Sequence, residues 1–335
     1  MKGTSKLVGM ALVMGMALGL ATSPAAAQER SKIRMVFSIS ANTPVLPYLV
    51  AKDTGWYEKN GLDVEEIFLV GDANALRAVI AGNGDVAQFG LTTALQAVAE
   101  SGAKIKTIAS WQPRVDYQFI GLKGKYKALE DFKGTVFASG SPGDLTFEIP
   151  KMVMKKHNVD FSNINFVAVG PHPDRLKALE GGKAQTSMVN MLTARRGIDD
   201  GAVDIIRAVK DDFPDFGFSF LVTTEANIAD PKKHKALEIL VKGAMVGARS
   251  ILKDPDGAAK VLNGRIPDLS PKFIHEVLVE LNRLKVWGDD GGLNKDIVKF
   301  TSDLSVQYNQ LSKPISPDQI IDTQFVDKAN AELKG

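Results

Sequence analysis

The chain carries two similar stretches about one hundred residues apart, and this internal repeat constrains its fold more than any other feature. A Val-Phe pair at residues 36–37 opens the first stretch, and the same pair at residues 136–137 opens the second. In each stretch a short strand pattern stops at small polar residues and a proline, which favours the first turn of a helix. A second strand pattern then ends in glycine, at Gly71 and at Gly170. Each stretch therefore predicts the strand–helix alternation of an α/β lobe with a mostly parallel sheet flanked by helices.

The repeat and the helical C-terminal region together predict a two-lobed protein. Lobe one is expected to be discontinuous, over residues 28–117 and 222–335, because the C-terminal helices have no sheet of their own and would return to cover the first one. Lobe two is expected over residues 118–221. Extended runs at residues 116–122 and 218–223 would link the lobes. Two such links form a hinge, with a cleft beside it.

The first residues have the pattern of a secretory signal peptide. Two lysines precede an apolar run over residues 7–20, and three consecutive alanines end at Ala27. This pattern predicts a signal peptide over residues 1–27, cleaved before Gln28. A membrane anchor is the alternative, but the apolar run is shorter than the ~20 residues that are needed to cross a bilayer. We therefore expect an exported, periplasmic protein.

Charge and cysteine content argue against several classes of function. The whole chain has a formal charge of +2, and loss of Lys2 and Lys6 with the signal peptide would bring the mature protein near zero. Nucleic acid selects for a basic face, so it is not an expected partner. The chain has no cysteine, which excludes disulfides, a thiolate nucleophile and a Cys-ligated metal. Its four histidines are dispersed and no common catalytic motif occurs, so we expect a binding protein without metal or cofactor, not an enzyme.

The loops after the predicted strands are candidate ligand-binding positions, because ligands of open α/β sheets bind beyond the carboxyl ends of the strands. Small polar residues and glycines in these loops offer hydroxyl and backbone N–H donors without bulk. A Trp and an Arg follow the last predicted strand of lobe one, where they could stack on a ligand or pair with its anionic group. The predicted ligand-binding residues are Ser40, Asn42, Thr43, Phe89, Gly90, Thr92, Trp111, Arg114, Gly140, Ser141, Asn190 and Met191.

Several of these residues also have a structural alternative. Ser141 and Thr92 could simply cap helices, Trp111 could pack in the core, and Arg114 could be a solvated surface residue. Helix N-termini favour an anion, since the helix dipole places roughly half a positive charge there. Asp144, three residues after Ser141, would use part of that potential, so lobe two would offer a hydrogen-bonding turn more than an anion site.

The sequence of the first lobe resembles a known family. The stretch SANTPVLPYLVAKDTGWYEKNGLDVE, followed by RAVIAGNGDVAQFG, is similar to the nitrate/sulfonate/taurine-type solute-binding proteins of ABC transporters, a family that also includes binders of thiamine-precursor pyrimidines. The residues that match the family pattern are Ala51, Gly55, Trp56, Tyr57, Gly61, Leu62, Val64, Glu65, Gly82, Asp85 and Ala87. At residues 182–186 the chain has Gly-Lys-Ala-Gln-Thr where the family usually has G-x-V-D-A, so the resemblance does not identify the ligand.

The resemblance implies a type II-like periplasmic-binding-protein fold and a function in uptake. One small, anionic organic molecule would be captured in the cleft between the lobes. The protein, expected to be a monomer, would then deliver it to an inner-membrane ABC permease with its cytoplasmic ATPase.

Two rival functions stay open at this point. An enzyme of the same fold could act on a pyrimidine precursor, but it would need His or Cys chemistry in the cleft. A periplasmic sensor subunit would pass its liganded state to a receptor kinase, and the sequence does not distinguish sensing from transport.

Overall fold

Ten strands form two five-stranded sheets in the computed structural model, which describes residues 30–38, 43–142 and 144–334. The first sheet contains β1 (Ser31–Phe37), β2 (Leu62–Phe68), β3 (Val86–Gly90), β4 (Ile105–Arg114) and β10 (Gly217–Thr224). The second sheet contains β5 (Gln118–Leu122), β6 (Val136–Ser139), β7 (Asn165–Ala168), β8 (Thr186–Val189) and β9 (Val203–Ala208). The predicted signal peptide lies outside the described residues.

Helices alternate with the strands in both lobes and then follow the last strand without interruption. Those of the first repeat are α1 (Leu46–Asp53), α2 (Trp56–Lys59), α3 (Asp72–Ile80) and α4 (Leu91–Ser101). Those of the second repeat are α5 (Leu145–Lys156), α6 (His172–Glu180) and α7 (Met191–Asp199). The C-terminal helices are α8 (Glu225–Ala229), α9 (Pro231–Lys253), α10 (Pro255–Asn263), α11 (Pro271–Arg283), α12 (Lys295–Gln307), α13 (Pro317–Ile320) and α14 (Gln324–Leu333).

The two sheets have the same topology. The first has the order β2-β1-β3-β10-β4 and the second the order β7-β6-β8-β5-β9. In the first sheet β1 pairs in parallel with β2 and β3, and β10 pairs antiparallel with β3 and β4. In the second sheet β6 pairs in parallel with β7 and β8, and β5 pairs antiparallel with β8 and β9. Each sheet is therefore mostly parallel with one reversed strand, and the predicted two-lobed α/β fold is confirmed.

The chain passes between the two sheets at residues 115–117 and at residues 209–216. The sequence predicts these links at residues 116–122 and 218–223, but most of the first run forms β5 and the second run lies inside β10. The predicted boundary after residue 221 consequently cuts a strand that is paired on both sides within the first sheet. An extended apolar run has the same pattern whether it links two lobes or pairs in a sheet. The sequence pattern alone therefore placed both links too late in the chain.

The long helix α9 packs the C-terminal region against the first sheet. Its apolar face packs on β1, α1 and α14, with Leu240 and Ala244 fully buried. A Cβ at Gly247 would overlap the carbonyl oxygen of Pro47 in α1, and one at Gly243 would overlap the ring of Tyr57. Gly247 therefore lets α9 lie directly against the backbone of α1, and Gly243, one helical turn earlier, leaves room for the ring of Tyr57 in α2.

Asp85, at the turn before β3, joins β1 to α9. Its carboxylate accepts hydrogen bonds from the guanidinium of Arg34, at 2.8 Å from Nη2 and 3.2 Å from Nε, and Lys233 Nζ lies 3.1 Å from Oδ1. The backbone carbonyl of Asp85 also accepts hydrogen bonds from Thr223 and Asn227. Burial alone would raise the pKa of Asp85, but the hydrogen bonds from Arg34 and Lys233 outweigh burial and hold the pKa below its usual range.

We expect Asp85→Asn to lower the free energy of unfolding by about 1.5–3 kcal/mol at neutral pH, since charge-assisted hydrogen bonds are lost from a buried position. A carboxylate with a lowered folded pKa stabilises the fold above its unfolded pKa and loses this effect as pH falls through the folded pKa. The difference between native protein and variant should therefore shrink in acid. Urea unfolding at several pH values measures both effects. Asp63→Asn, which removes the exposed Arg30–Asp63 pair, is the control and should change little.

Candidate functional site

A cavity of about 300 Å³ lies between the two lobes, at the carboxyl ends of the parallel strands. One wall comes from the ends of β1, β2 and β3 and the start of β10, and the other comes from the segments that lead into α5 and α6. Tyr117, in the first crossing segment, completes it. The lining residues are Ser38, Pro44, Val45, Phe68, Leu69, Val70, Gly71, Asp72, Gln88, Phe89, Gly90, Tyr117, Ser141, Asp144, Leu145, Thr146, Gly170, Pro171, His172, Arg175, Phe218 and Ser219.

Asp72 is the charged residue of the first wall. It is the first residue of α3, and its Oδ2 accepts a hydrogen bond of 3.0 Å from the backbone N–H of Gly90 at the end of β3. Burial raises the pKa of Asp72, and the negative charge of Asp144 adds to the rise. Hydrogen bonds from Ser38, Gly90 and Thr93 act in the opposite direction without cancelling it. The carboxylates of the two walls are therefore close enough to influence each other.

The second wall contains the carboxylate of Asp144 and the guanidinium of Arg175. Asp144 precedes α5, and its Oδ2 accepts a hydrogen bond of 2.9 Å from the backbone N–H of Ser141. Arg175 is buried and donates from Nε to the carbonyl of Gly170 at 2.7 Å and from Nη1 to the carbonyl of Met188 at 3.2 Å. Burial lowers the pKa of Arg175 to about 10, so the side chain stays charged at neutral pH.

The remaining polar groups of the cavity are uncharged. His172 is buried, and desolvation together with the positive charge of Arg175 lowers its pKa well below the usual value, so the imidazole is neutral. Its ring lies 5.4 Å from the ring of Tyr117, which in turn packs edge-on against Phe218 at 5.0 Å. Gln88 donates from Nε2 to the carbonyl of Pro44 at 2.9 Å. Between these groups the walls are mainly aromatic and aliphatic.

Three of the predicted ligand-binding residues line the cavity: Phe89, Gly90 and Ser141. At Gly90 an added Cβ would lie 2.7 Å from Asp72 Oδ2 and 3.3 Å from Leu145 Cδ1. A side chain here would displace the Asp72 carboxylate, so glycine is favoured where the first wall meets Leu145 of the second lobe. Gly140 adjoins Ser141 and packs against Thr146 and Asp144, without lining the cavity itself.

Other predicted residues are placed away from the cavity. Trp111 is buried in the core of lobe one, where it stacks on Tyr48 with ring centroids 5.7 Å apart, so it packs rather than faces a ligand. Arg114 is partly exposed, and its Nη2 lies 3.4 Å from Asp215 Oδ1. Thr92 is buried in α4 next to the cavity wall. Ser40 and Asn42 lie outside the described residues.

Thr43, Asn190 and Met191 meet at the hinge instead of at the cavity. Asp116 Oδ2, in the first crossing segment, accepts a hydrogen bond of 3.1 Å from Thr43 Oγ1 of lobe one and another of 3.1 Å from the backbone N–H of Met191 in lobe two. Asn190 caps α7, since its Oδ1 accepts a hydrogen bond of 2.9 Å from the backbone N–H of Thr193. Asp116 thus bridges both lobes beside the cavity.

We expect Asp116→Asn to gain stability relative to the native protein as pH rises from about 4 to about 8. Burial raises the pKa of Asp116 in spite of the hydrogen bonds from Met191 and Thr43. A carboxyl group with a raised folded pKa stabilises the fold below its unfolded pKa, and this contribution is lost as pH rises through the folded pKa. Asparagine keeps an oxygen for both donors and does not ionise. Urea unfolding over this pH range gives the measurement.

Asp268→Asn, at an exposed position, is the matched control for Asp116→Asn. Its stability relative to the native protein should not change with pH over this range. A loss of stability in Asp116→Asn that exceeds about 1 kcal/mol and is the same at every pH would contradict the assignment of Asp116 as a buried, proton-binding carboxyl group.

Sequence reasoning missed much of the cavity wall. The segments at residues 68–72 and 170–172, which follow the second strand of each repeat, both line it, as do Gln88 and Arg175. The sequence does mark these segments, since a glycine follows shortly after each of the two strands, and both Gly71 and Gly170 have positive φ. The predicted ligand-binding residues follow other strands of the repeats and not these two. Nothing in the local sequence marks Arg175 as a buried cation.

Two similar α/β lobes, two crossing segments and a cavity between the lobes define a periplasmic-binding-protein fold. The chain is similar in structure to the alkanesulfonate-binding protein SsuA from Xanthomonas axonopodis pv. citri bound to MOPS, with a TM-score of 0.68 and 17% identity over 89% of this chain and 100% of that one. It is also similar to the periplasmic nitrate-binding protein NrtA from Synechocystis PCC 6803, with a TM-score of 0.69 and 13% identity over 91% and 90% of the two chains. The desulfurization enzyme DSZB has a TM-score of 0.65 and 11% identity over 90% of this chain and 99% of that one.

The family follows from sequence. Residues 42–258 match the model of the NMT1/THI5-like family, which is more than half of the chain, and the protein belongs to this family. The resemblance identified from the motifs of lobe one is thereby confirmed. No curated protein matches the chain by sequence.

Two features are absent from the part of the chain that the structure describes. No helix there is long and apolar enough to span a membrane. Within the same residues, no group of three or more His, Asp or Glu side chains is arranged to hold a metal ion.

Proposed function

We propose that the protein is the solute-binding component of an ABC importer, which holds one small organic molecule in the inter-lobe cavity and delivers it to an inner-membrane permease. The observation that carries this proposal is the cavity itself, because both lobes contribute strand-end segments to it and the chain crosses beside it twice. Its volume of about 300 Å³ suits a molecule with few heavy atoms. Two structural relatives, the alkanesulfonate-binding protein SsuA and the nitrate-binding protein NrtA, are binding proteins, which supports the same function.

The aromatic and aliphatic groups of the cavity favour a solute with an apolar body. Phe68, Phe89, Phe218 and Leu145 line it together with the ring of Tyr117. Phe68 and Val70, which line the cavity, are exposed by 52% and 88%, so apolar surface there faces solvent. A bound solute and a closed cleft would cover them.

The proposed site of action is the periplasm, in keeping with the signal peptide that the sequence predicts over residues 1–27. In this account the mature protein acts as a monomer. It hydrolyses nothing itself, because ATP hydrolysis belongs to the cytoplasmic ATPase of the importer.

An enzyme is the second candidate, since DSZB shares the fold and a buried, neutral His172 lies in the cavity. A sensor subunit is the third, and it differs from a transport component only in its partner. Stimulation of ATP hydrolysis in proteoliposomes that contain a permease and its ATPase separates transport from sensing, because a sensor subunit produces no stimulation.

We expect a thermal-shift screen of sulfonates, nitrate, aromatic acids, amines and pyrimidines to find a compound that raises the melting temperature of the purified protein. The compound should bind with a stoichiometry of one in calorimetry and should be recovered unchanged after long incubation. Recovery of a reaction product would favour the enzyme. Failure of every compound to stabilise the protein would contradict solute binding in this cavity.

A further inference from the structure

Two carboxyl groups and one guanidinium line the cavity. Asp72 comes from lobe one, Asp144 and Arg175 come from lobe two, and all three line it. His172 adds no charge, because burial and the nearby Arg175 lower its pKa and keep it neutral. With both carboxylates ionised, the lining residues therefore carry an excess of negative charge.

Arg175 donates hydrogen bonds to the backbone of its own lobe. Its Nε and Nη1 donate to the carbonyl oxygens of Gly170 and Met188, which ties the segment after β7 to the end of β8. It is only 5% exposed, and its charge also acts on Asp144. A guanidinium that donates two of its five N–H groups to backbone carbonyls, and whose charge is balanced by a carboxylate, attracts a ligand anion less strongly than a free one.

Two of the helix N-termini at the cavity already carry carboxylates of the protein. Asp72 is the first residue of α3, and Asp144 is the residue that precedes α5. Each places its negative charge where the helix dipole is positive, which stabilises the carboxylate and removes the attraction for a second anion. An anion at either of these two N-termini is therefore disfavoured.

An unpaired hydrogen-bond acceptor in the cavity also favours a ligand that donates hydrogen bonds over an anion. Gln88 is only 4% exposed and lines the cavity, and its Oε1 has no hydrogen-bond partner within the described residues. Its orientation is fixed, because Nε2 donates to the carbonyl of Pro44. A buried acceptor without a partner is costly, so a ligand that donates an N–H group to it is favoured.

The charges of Asp72 and Asp144 affect how readily the cleft closes. Asp72 and Asp144 belong to different lobes, and Asp144 already raises the pKa of Asp72. Movement of the lobes toward each other shortens the distance between two like charges in a site that excludes water, which is unfavourable. A positive charge placed between them reverses the sign of this interaction and favours the closed state.

We propose that the solute is an organic cation, with a protonated amine or amidine group between Asp72 and Asp144 and an apolar body against the aromatic walls. This inference rests on the proposed function, since it specifies the class of molecule that the same cavity takes.

Benzamidine and benzoate are matched probes, because they have the same ring and similar size but opposite charge. We expect calorimetry on the purified protein to show benzamidine binding at least about tenfold more tightly than benzoate. Benzylamine and benzenesulfonate form a second pair, for which the same order is expected.

Asp144→Asn should weaken benzamidine binding by at least about tenfold and should not weaken benzoate binding. The variant keeps an oxygen for the backbone N–H of Ser141, and Asp144 is exposed, so the fold is preserved. Asp174→Asn is the matched control, since Asp174 lies in the same lobe, is exposed and does not line the cavity. It should leave the affinity unchanged.

Three results would overturn the inference. If benzoate or benzenesulfonate binds more tightly than its cationic counterpart, the charge assignment is wrong while solute binding in the cavity stands. If benzamidine binds equally well to Asp144→Asn and to the native protein, the cation does not lie between the carboxylates. If neither cation binds, the cationic class is wrong, and the broader screen then decides whether the cavity takes any solute.

Discussion

The structure depends on one topological constraint: in each sheet the reversed strand is the one that the chain forms after arriving from the other lobe. β5 follows the first crossing and lies between β8 and β9, and β10 follows the second crossing and lies between β3 and β4. Both strands are paired on each side, so neither crossing segment can move far without breaking ladder hydrogen bonds. The lobes are consequently held with the carboxyl ends of their parallel strands toward a common cavity. We expect relative motion of the lobes to centre on the short segments at residues 115–117 and 209–216.

The first crossing segment also carries the groups that couple the lobes. Asp116 accepts hydrogen bonds from Thr43 of lobe one and from the backbone of Met191 in lobe two, and Tyr117, the next residue, lines the cavity. The hinge and the ligand site are thus adjacent in sequence. A solute that contacts Tyr117 and both carboxylates touches each element that must shift when the cleft closes, which links occupancy to the relative position of the lobes.

The architecture was accessible from the sequence because it is repeated. Strand and helix patterns at an offset of about one hundred residues predicted two equivalent α/β lobes, and the strand-end rule located Phe89, Gly90 and Ser141 in the cavity wall. The role of Trp111 was not accessible, since a Trp at the end of a strand has the same local pattern whether it stacks on Tyr48 in the core or on a ligand.

The charge of the site was also beyond local sequence reasoning. Asp72 and Asp144 are far apart in the chain and line one cavity only because the two lobes face each other. Asp144 was recognised as opposing an anion, whereas Asp72 and Arg175 were not singled out. Which strand an extended run joins is likewise a tertiary property, which explains why the boundary predicted after residue 221 falls inside β10.

The most direct test is the distance between the lobes, measured in solution by pulsed electron paramagnetic resonance. The chain has no cysteine, so Ala73→Cys and Asp174→Cys would carry the only two spin labels, on the first turns of α3 and α6 on opposite sides of the cavity. A pair within lobe one, Ala73→Cys with Glu100→Cys, is the control. We expect saturating solute to shorten and narrow the inter-lobe distance distribution and to leave the control pair unchanged. An inter-lobe distance that is the same with and without bound solute would contradict a cleft that closes on its ligand.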